Sequence, residues 1–388
     1  LSFLKFQADN IFTGTEMLGS ESVLIADKKG IVQDIIDEKD AGEDIRKFSG
    51  IISPGFINCH CHLELSHLKG VIPEHTGMVD FILNIMQHRS SSSEELIQDA
   101  IEKAEDEMIA NGIVAVGDIC NTTNTINQKK KGKLYYHNFI EISGFVPATA
   151  QQRFDAGLDV YNEFMNYFPN NSSLVPHAPY SVSPNLFELI SDFSSNKIST
   201  IHNQESKEEN QFFEYGSGDF ERLYRNLGID ISFYKPSGKS SLSTVLNYLT
   251  KTYKTILVHN TFTSTNDVNE LNVAAAKTQF YFCLCVLANK YINDLVPNDI
   301  VDKSNFDKIV LGTDSLASNH QLNLLEEMKD LKKQYTSLSE IDLLKFATNN
   351  GAIALGIDSK YGSFVFGKQP GVLLLKDGLN STKVRRLI

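Results

Sequence analysis

The chain has 388 residues, 41% hydrophobic and 22% charged, enough to bury a large core in one or two domains. Its 48 acidic against 36 basic side chains leave a net charge of -12, which argues against a nucleic-acid surface or docking on an anionic membrane. No stretch resembles a signal peptide or a transmembrane run. Five cysteines in apolar, strand-like contexts (Cys59, Cys61, Cys120, Cys283, Cys285) fit reduced thiols of a cytoplasmic protein better than a disulfide framework.

Residues 1–50 read as short apolar segments with turns: strands over 3–11, 22–26 and 31–36, with Asp27-Lys-Lys-Gly30 as a hairpin turn. The C-terminal end reads similarly, with strands over 362–366 and 372–376 around a Gly367/Pro370/Gly371 break. Neither end can bury enough surface alone, so residues 1–52 and 362–388 are expected to form one small β-sandwich domain. Between them the periodicity alternates. Helical spacing runs over 76–89, 94–111, 147–167 and 184–193, and Ser183 followed by Pro184 marks a helix start. Apolar runs over 56–62, 113–118, 133–142, 174–177, 197–202, 255–259, 279–285 and 308–314 read as eight buried strands. Eight strands alternating with helices predict an α/β fold, a (β/α)8 TIM-like barrel over residues 53–361. Residues 90–93 and 129–131 read as solvated loops.

Polar residues end one apolar run after another: His60 and His62, Asp118, Glu141, His177, His202, His259 and Asp314. On a strand, residues two apart share a face, so His60 and His62 point the same way, and histidine is the commonest metal ligand. In such barrels the C-terminal strand ends form the active-site face. By the same alternation Cys59 and Cys61 point away from the histidines, into the layer between barrel and helices, as small buried hydrophobes.

Pro54-Gly-Phe-Ile-Asn-Cys-His-Cys-His62, His177-Ala-Pro-Tyr180, His202-Asn-Gln-Glu205, Val258-His259-Asn and Gly312-Thr-Asp314-Ser-Leu-Ala-Ser-Asn319, in this order, resemble the amidohydrolase superfamily. The branch is that of cytosine, guanine and adenosine deaminases and chlorohydrolases, and Cys61-His-Leu-Glu-Leu-Ser-His-Leu-Lys-Gly70 is most similar to aminodeoxyfutalosine deaminase-like proteins. The resemblance implies that His60, His62, His202 and Asp314 ligate one divalent metal, Zn2+ first and Fe2+ second, with water in the open position. Binuclear members carry a lysine at the end of strand four; here His177 stands there, which implies a mononuclear site with His259 beside the water. Asp314 and His259 would deprotonate the water, and Glu205 would protonate the ring nitrogen next to the carbon that loses its amine. The plainer reading of Glu205 is an acid in a helix's first turn.

The same resemblance makes His177 a substrate contact and Glu64 a partner for a sugar hydroxyl, or else one half of a salt bridge at the barrel mouth. Asp118 and Glu141 either line the pocket or cap loops. The implied activity is hydrolytic deamination of an amino-purine or nucleoside-like substrate by metal-bound hydroxide. Chlorohydrolase or cyclic-amide hydrolysis is the alternative within the superfamily, and a non-catalytic metal-binding barrel is the alternative of another class. The chain departs from the branch at Val286, where a proline often follows the cysteine, and at Gly371, where the C-terminal strand often has Ala-Asp. Expected partners are a small-molecule substrate and, in a homodimer, a second copy of the chain.

Overall fold

Two four-stranded parallel sheets occupy the middle of the chain in a computed structural model that describes residues 3–297, 300–301 and 303–388. The first sheet contains Phe56–Cys61, Ile113–Cys120, Tyr135–Ile142 and Ser172–Pro176, paired side by side in sequence order. The second contains Ile198–Asn203, Lys254–His259, Gln279–Leu284 and Ile309–Leu311, again in sequence order. These are numbered below as the first to eighth strands. Helices such as Glu94–Ala110, Ala150–Met165 and Pro184–Ser191 provide the long crossovers that parallel strands require. Because helices cover them, the strands are buried on both faces and read in sequence as near-continuous apolar runs.

The edges of the two sheets also meet. His202 N donates to His177 O at 2.9 Å, while Thr313 N and Asp314 N both donate to His60 O at 3.0 and 3.1 Å. One apolar cluster gathers a residue from every strand: Ile57, Ala115, Phe139, Val175, Ile198, Val258, Cys283 and Val310. The opposite parity (Val116, Ile140, Leu174, Leu257, Phe282 and Leu311) packs in a larger cluster with residues of helices Glu94–Ala110 and Leu324–Gln334. Cys59 belongs to the first cluster and Cys61 to the second. The expectation that both thiols share one layer therefore fails, because the pairing register with the second strand shifts between Asn58 and Cys61 and interrupts the alternation. All five cysteines are buried and free.

The chain ends build two further sheets. One orders Val32–Asp37, Ser22–Ala26, Leu4–Gln7 and Ile45–Lys47; the other orders Arg385–Arg386, Val372–Leu375, Ile51–Pro54, Asn10–Phe12 and Met17–Leu18. Phe6, Ile11, Leu24, Val32, Ile52 and Val372 pack together as a core of their own. The hairpin at Asp27 forms as predicted, with Asp27 Oδ1 accepting from Lys29 N and Ile31 N. Three expectations change. The stretch 3–11 is two strands in two sheets, broken at Asp9, whose carboxylate accepts from Gly50 N. Residues 362–366 form no strand, since Gly362 and Gly367 sit at φ +85° and +83°, outside the extended region. Ile51–Pro54 carries the five-stranded sheet two residues past position 52.

Among the described residues, no helix is long and apolar enough to cross a membrane. Lys129, read from the sequence as part of a solvated loop, ends the short helix Ile126–Lys129 and is 2% exposed. Its ammonium lies 2.6 Å from Asp118 Oδ2 and donates to Asn138 Oδ1 at 2.8 Å, over the rings of Tyr136 and Phe164. A charge run signals solvent only when no buried carboxylate is waiting for one of its members.

Candidate active site

His60 lies on the first strand, His62 one residue beyond it, His202 on the fifth, and Asp314 three residues past the eighth. All four are buried, and their ligand atoms lie within 4.8 Å of one another. The Nε2 atoms of His60 and His62 are 3.1 Å apart, and those of His62 and His202 are 3.2 Å apart. Asp314 Oδ1 stands 3.4 Å from His60 Nε2 and 3.3 Å from His62 Nε2. Ligands bonded at zinc–nitrogen lengths to one tetrahedral ion stand about 3.3 Å from each other. Three converging imidazole nitrogens and a carboxylate oxygen at that spacing fit a divalent metal, and they make a poor set of partners for one another.

Burial pulls the pKa of His60 and of His62 down to about 4, so both rings are neutral near pH 7, the form that binds metals. Burial alone would raise the Asp314 carboxyl, but the hydrogen bond with His60 and the facing His62 and His259 hold it well below the usual carboxylate range. Ser318 Oγ donates to Asp314 Oδ2 at 2.6 Å, leaving Oδ1 for the cluster. His202 Nδ1 is 2.9 Å from His177 O, which turns its Nε2 inward.

His259 ends the sixth strand, and Glu205 follows the fifth. His259 Nε2 and Glu205 Oε1 are 3.5 Å apart. Burial, with Asp314 and Glu209 nearby, holds the Glu205 carboxyl well above its usual range. Gln204, His259 and Asp314 all adopt left-handed backbone (φ +47°, +70° and +55°), a conformation that costs side-chain-bearing residues energy and that concentrates at functional sites. A cavity of about 500 Å³ opens over these groups. Its lining includes His62, Glu141, His177, His202, Glu205, His259 and Asp314, together with apolar Met78, Phe81, Ile85, Phe145 and Leu227.

Residues 51–384 match the amidohydrolase family. The chain belongs to that family. Among curated amidohydrolase relatives, it is 24% identical over 350 residues to an aminodeoxyfutalosine deaminase of a Nitratiruptor species, covering 86% of this chain and 82% of the relative. It is 27% identical over 326 residues to an adenosine deaminase of Helicobacter pylori, covering 80% and 76%. In fold it is similar to the crystal structure of Helicobacter pylori aminofutalosine deaminase in complex with methylthio-coformycin. There the TM-score is 0.82 at 20% identity, over 99% of this chain and all of that one (100%).

The other predicted residues of this amidohydrolase separate into two groups. His177 and Glu141 are on the cavity wall. His177 Nδ1 pairs with Ser181 Oγ at 2.6 Å, and burial brings its pKa to about 4. Glu141 Oε1 lies 3.3 Å from His202 Nδ1, and Asn121 Nδ2 donates to Oε2 at 3.0 Å. Burial would raise that carboxyl, but His177, His202 and His62 hold it at about 2.

Asp118 and Glu64 do not line the cavity. Ala115 and Ile119 take the inner face of the second strand, so alternation turns Asp118 outward to Lys129, where its Oδ1 accepts from Leu63 N at 2.8 Å. Of the two readings of Glu64, the geometry matches the salt bridge: Arg89 Nη2 lies 3.2 Å from Oε1, and Thr122 Oγ1 donates to Oε2 at 2.8 Å. Sequence reading missed Arg89 and Arg153 on the cavity wall, Ser318 behind Asp314, and Asn289 behind His259. Ser318 lay within a quoted motif; the arginines sit on elements with no signal of their own.

Proposed function

We propose that this amidohydrolase removes the exocyclic amine from an adenine-type base carried on a modified nucleoside, releasing ammonia. The observation that carries the reading is Glu205: a buried carboxyl, held above its usual pKa, 3.5 Å from the His259 imidazole and beside four side chains that could hold a metal. His60, His62, His202 and Asp314 would hold a divalent metal, which would supply Lewis acidity at the site. His259 accepts one proton of the attacking water, and Asp314 helps orient it. Glu205 gives its proton to the ring nitrogen adjacent to the amine-bearing carbon, carries the remaining water proton from the new hydroxyl to the departing nitrogen, and is reprotonated from His259. His177 and Glu141 offer polar groups to the nucleoside, and Met78, Phe81, Ile85, Phe145 and Leu227 offer apolar contact.

One metal per chain is assigned, zinc before ferrous iron, because no lysine follows the fourth strand and the donor set is three imidazoles and one carboxylate. The eight strands are read as a closed (β/α)8 barrel. Supporting closure are the hydrogen bonds at both sheet edges and the cluster that draws on every strand. The two end sheets are read as one small β-sandwich domain, the unit expected of residues 1–52 and 362–388. The free buried thiols support a cytoplasmic setting.

The test is an ammonia-release assay on metal-loaded protein across adenosine, 5′-deoxyadenosine, 5′-methylthioadenosine, aminodeoxyfutalosine, free purines and pterins. Release from one or more nucleosides, lost in Glu205→Gln, supports the reading. Release from none, or chloride release from halogenated triazines instead, overturns it.

A further inference from the structure

Asn289 lies on the helix Val286–Asn293, which follows the seventh strand. It is 1% exposed, and its side-chain Oδ1 sits 2.7 Å from His259 Nδ1. His259 is itself fully buried, and its other ring nitrogen, Nε2, has no hydrogen-bond partner. That nitrogen faces Glu205 Oε1 across 3.5 Å. A neutral imidazole carries one ring proton, and the partner of one nitrogen decides which nitrogen keeps it. An amide oxygen accepts and cannot donate, so Oδ1 against Nδ1 requires the proton on Nδ1 and leaves a lone pair on Nε2.

We infer that Asn289 is a positioning residue that fixes His259 as the Nδ1–H tautomer, keeping Nε2 as the proton acceptor of the site. This rests on the reading of His259 as the group that takes a proton from water. With the opposite tautomer an N–H would point at the reacting atoms and could take nothing. The amide Nδ2 of Asn289 has no hydrogen-bond partner, and its backbone is held in place. Its backbone N–H donates to Cys285 O at 3.0 Å, and Glu327 fixes the helix start by accepting from Leu287 N at 3.1 Å. Glu327 also accepts from Asn319 Nδ2 at 3.2 Å, and that same amide donates to Thr313 O at 3.0 Å. One buried carboxyl group therefore ties the helix that carries Asn289 to the loop that carries Asp314.

The test uses the metal-loaded full chain with isotope-labelled histidine, reading the ring tautomer of His259 by nitrogen NMR beside kcat and KM. Wild type should show Nδ1 protonated and Nε2 bare. Asn289→Leu should lose that single tautomer and lower kcat roughly 10–100-fold, the range seen when an outer partner of a site histidine is removed, with KM and metal content unchanged. Asn289→Asp, which keeps an acceptor oxygen, should restore the Nδ1–H tautomer and most of kcat. A wild-type His259 protonated on Nε2, or full kcat in Asn289→Leu, overturns the inference. Should the leucine variant not fold, the wild-type and Asn289→Asp tautomers decide alone. Were wild type to deaminate no nucleoside, the functional reading would fall, and the tautomer would still decide for or against Asn289.

Discussion

Replacing Lys129 by methionine removes the counter-charge paired with Asp118 inside the helix layer. Both side chains of that pair are fully inaccessible to solvent, and Oδ2 lies 2.6 Å from Nζ. The substitution preserves chain length and apolar contact with Tyr136 and Phe164, but it strips the counter-ion from Asp118 and a donor from Asn138 Oδ1. Breaking a buried pair by removing one partner costs about 3–5 kcal/mol, because a buried charge is left uncompensated. The surface pair Lys131–Glu102, 45% and 49% exposed, is the internal control, and Lys131→Met should cost less than about 1 kcal/mol. The chain has no tryptophan, so urea unfolding is followed by circular dichroism. The double variant Lys129→Met/Asp118→Asn should recover much of the loss, since neither charge is then stranded. Asp118 Oδ1 also holds Leu63 N, next to His62, so Lys129→Met should weaken metal binding as well. A loss under about 1 kcal/mol in Lys129→Met would refute the reasoning.

Glu205→Gln keeps size and burial but removes the transferable proton. It should lower kcat by roughly 10²–10⁴-fold with metal content unchanged, checked by ammonia release and elemental analysis. Gly312→Ala would place a methyl 2.8 Å from His60 Cβ and Cys285 Sγ, so it should displace His60 and lower metal affinity, measured by competition with a chelator. Glu327→Gln tests a pH effect. Burial, opposed by hydrogen bonds from Leu287, Asn319 and Val286, pushes the Glu327 carboxyl from 4.5 up to about 8. The folded protein therefore keeps a proton that the unfolded chain releases. That stabilisation is full below about pH 4.5 and is lost as pH rises through about 8, on the order of 5 kcal/mol in all. Urea unfolding across this range should show a shallower fall in Glu327→Gln than in wild type; identical slopes would contradict it.

The sequence carried the architecture because parallel strands covered by helices leave bare apolar runs, each ending in a polar residue that a reader can mark. The metal cluster was legible for the same reason: His60, His62, His202 and Asp314 each stand at the end of such a run. What alternation alone could not supply was parity. Asp118 ends a run as conspicuously as His202 does, yet it falls on the outer face, and only Ala115 and Ile119 opposite reveal it. A register shift at Asn58 similarly separates Cys59 from Cys61. Asn289 meets His259 from a segment 30 residues away, which no local pattern encodes, whereas Ser318 lies only 4 residues past Asp314.

The central claim is that one metal at His60, His62, His202 and Asp314 serves a deamination assisted by Glu205 and His259. The most direct test titrates metal-free protein with zinc while recording bound metal and ammonia released from a nucleoside substrate. Activity should climb linearly and break at about one zinc per chain. Full activity without metal, or a break at two, would contradict it.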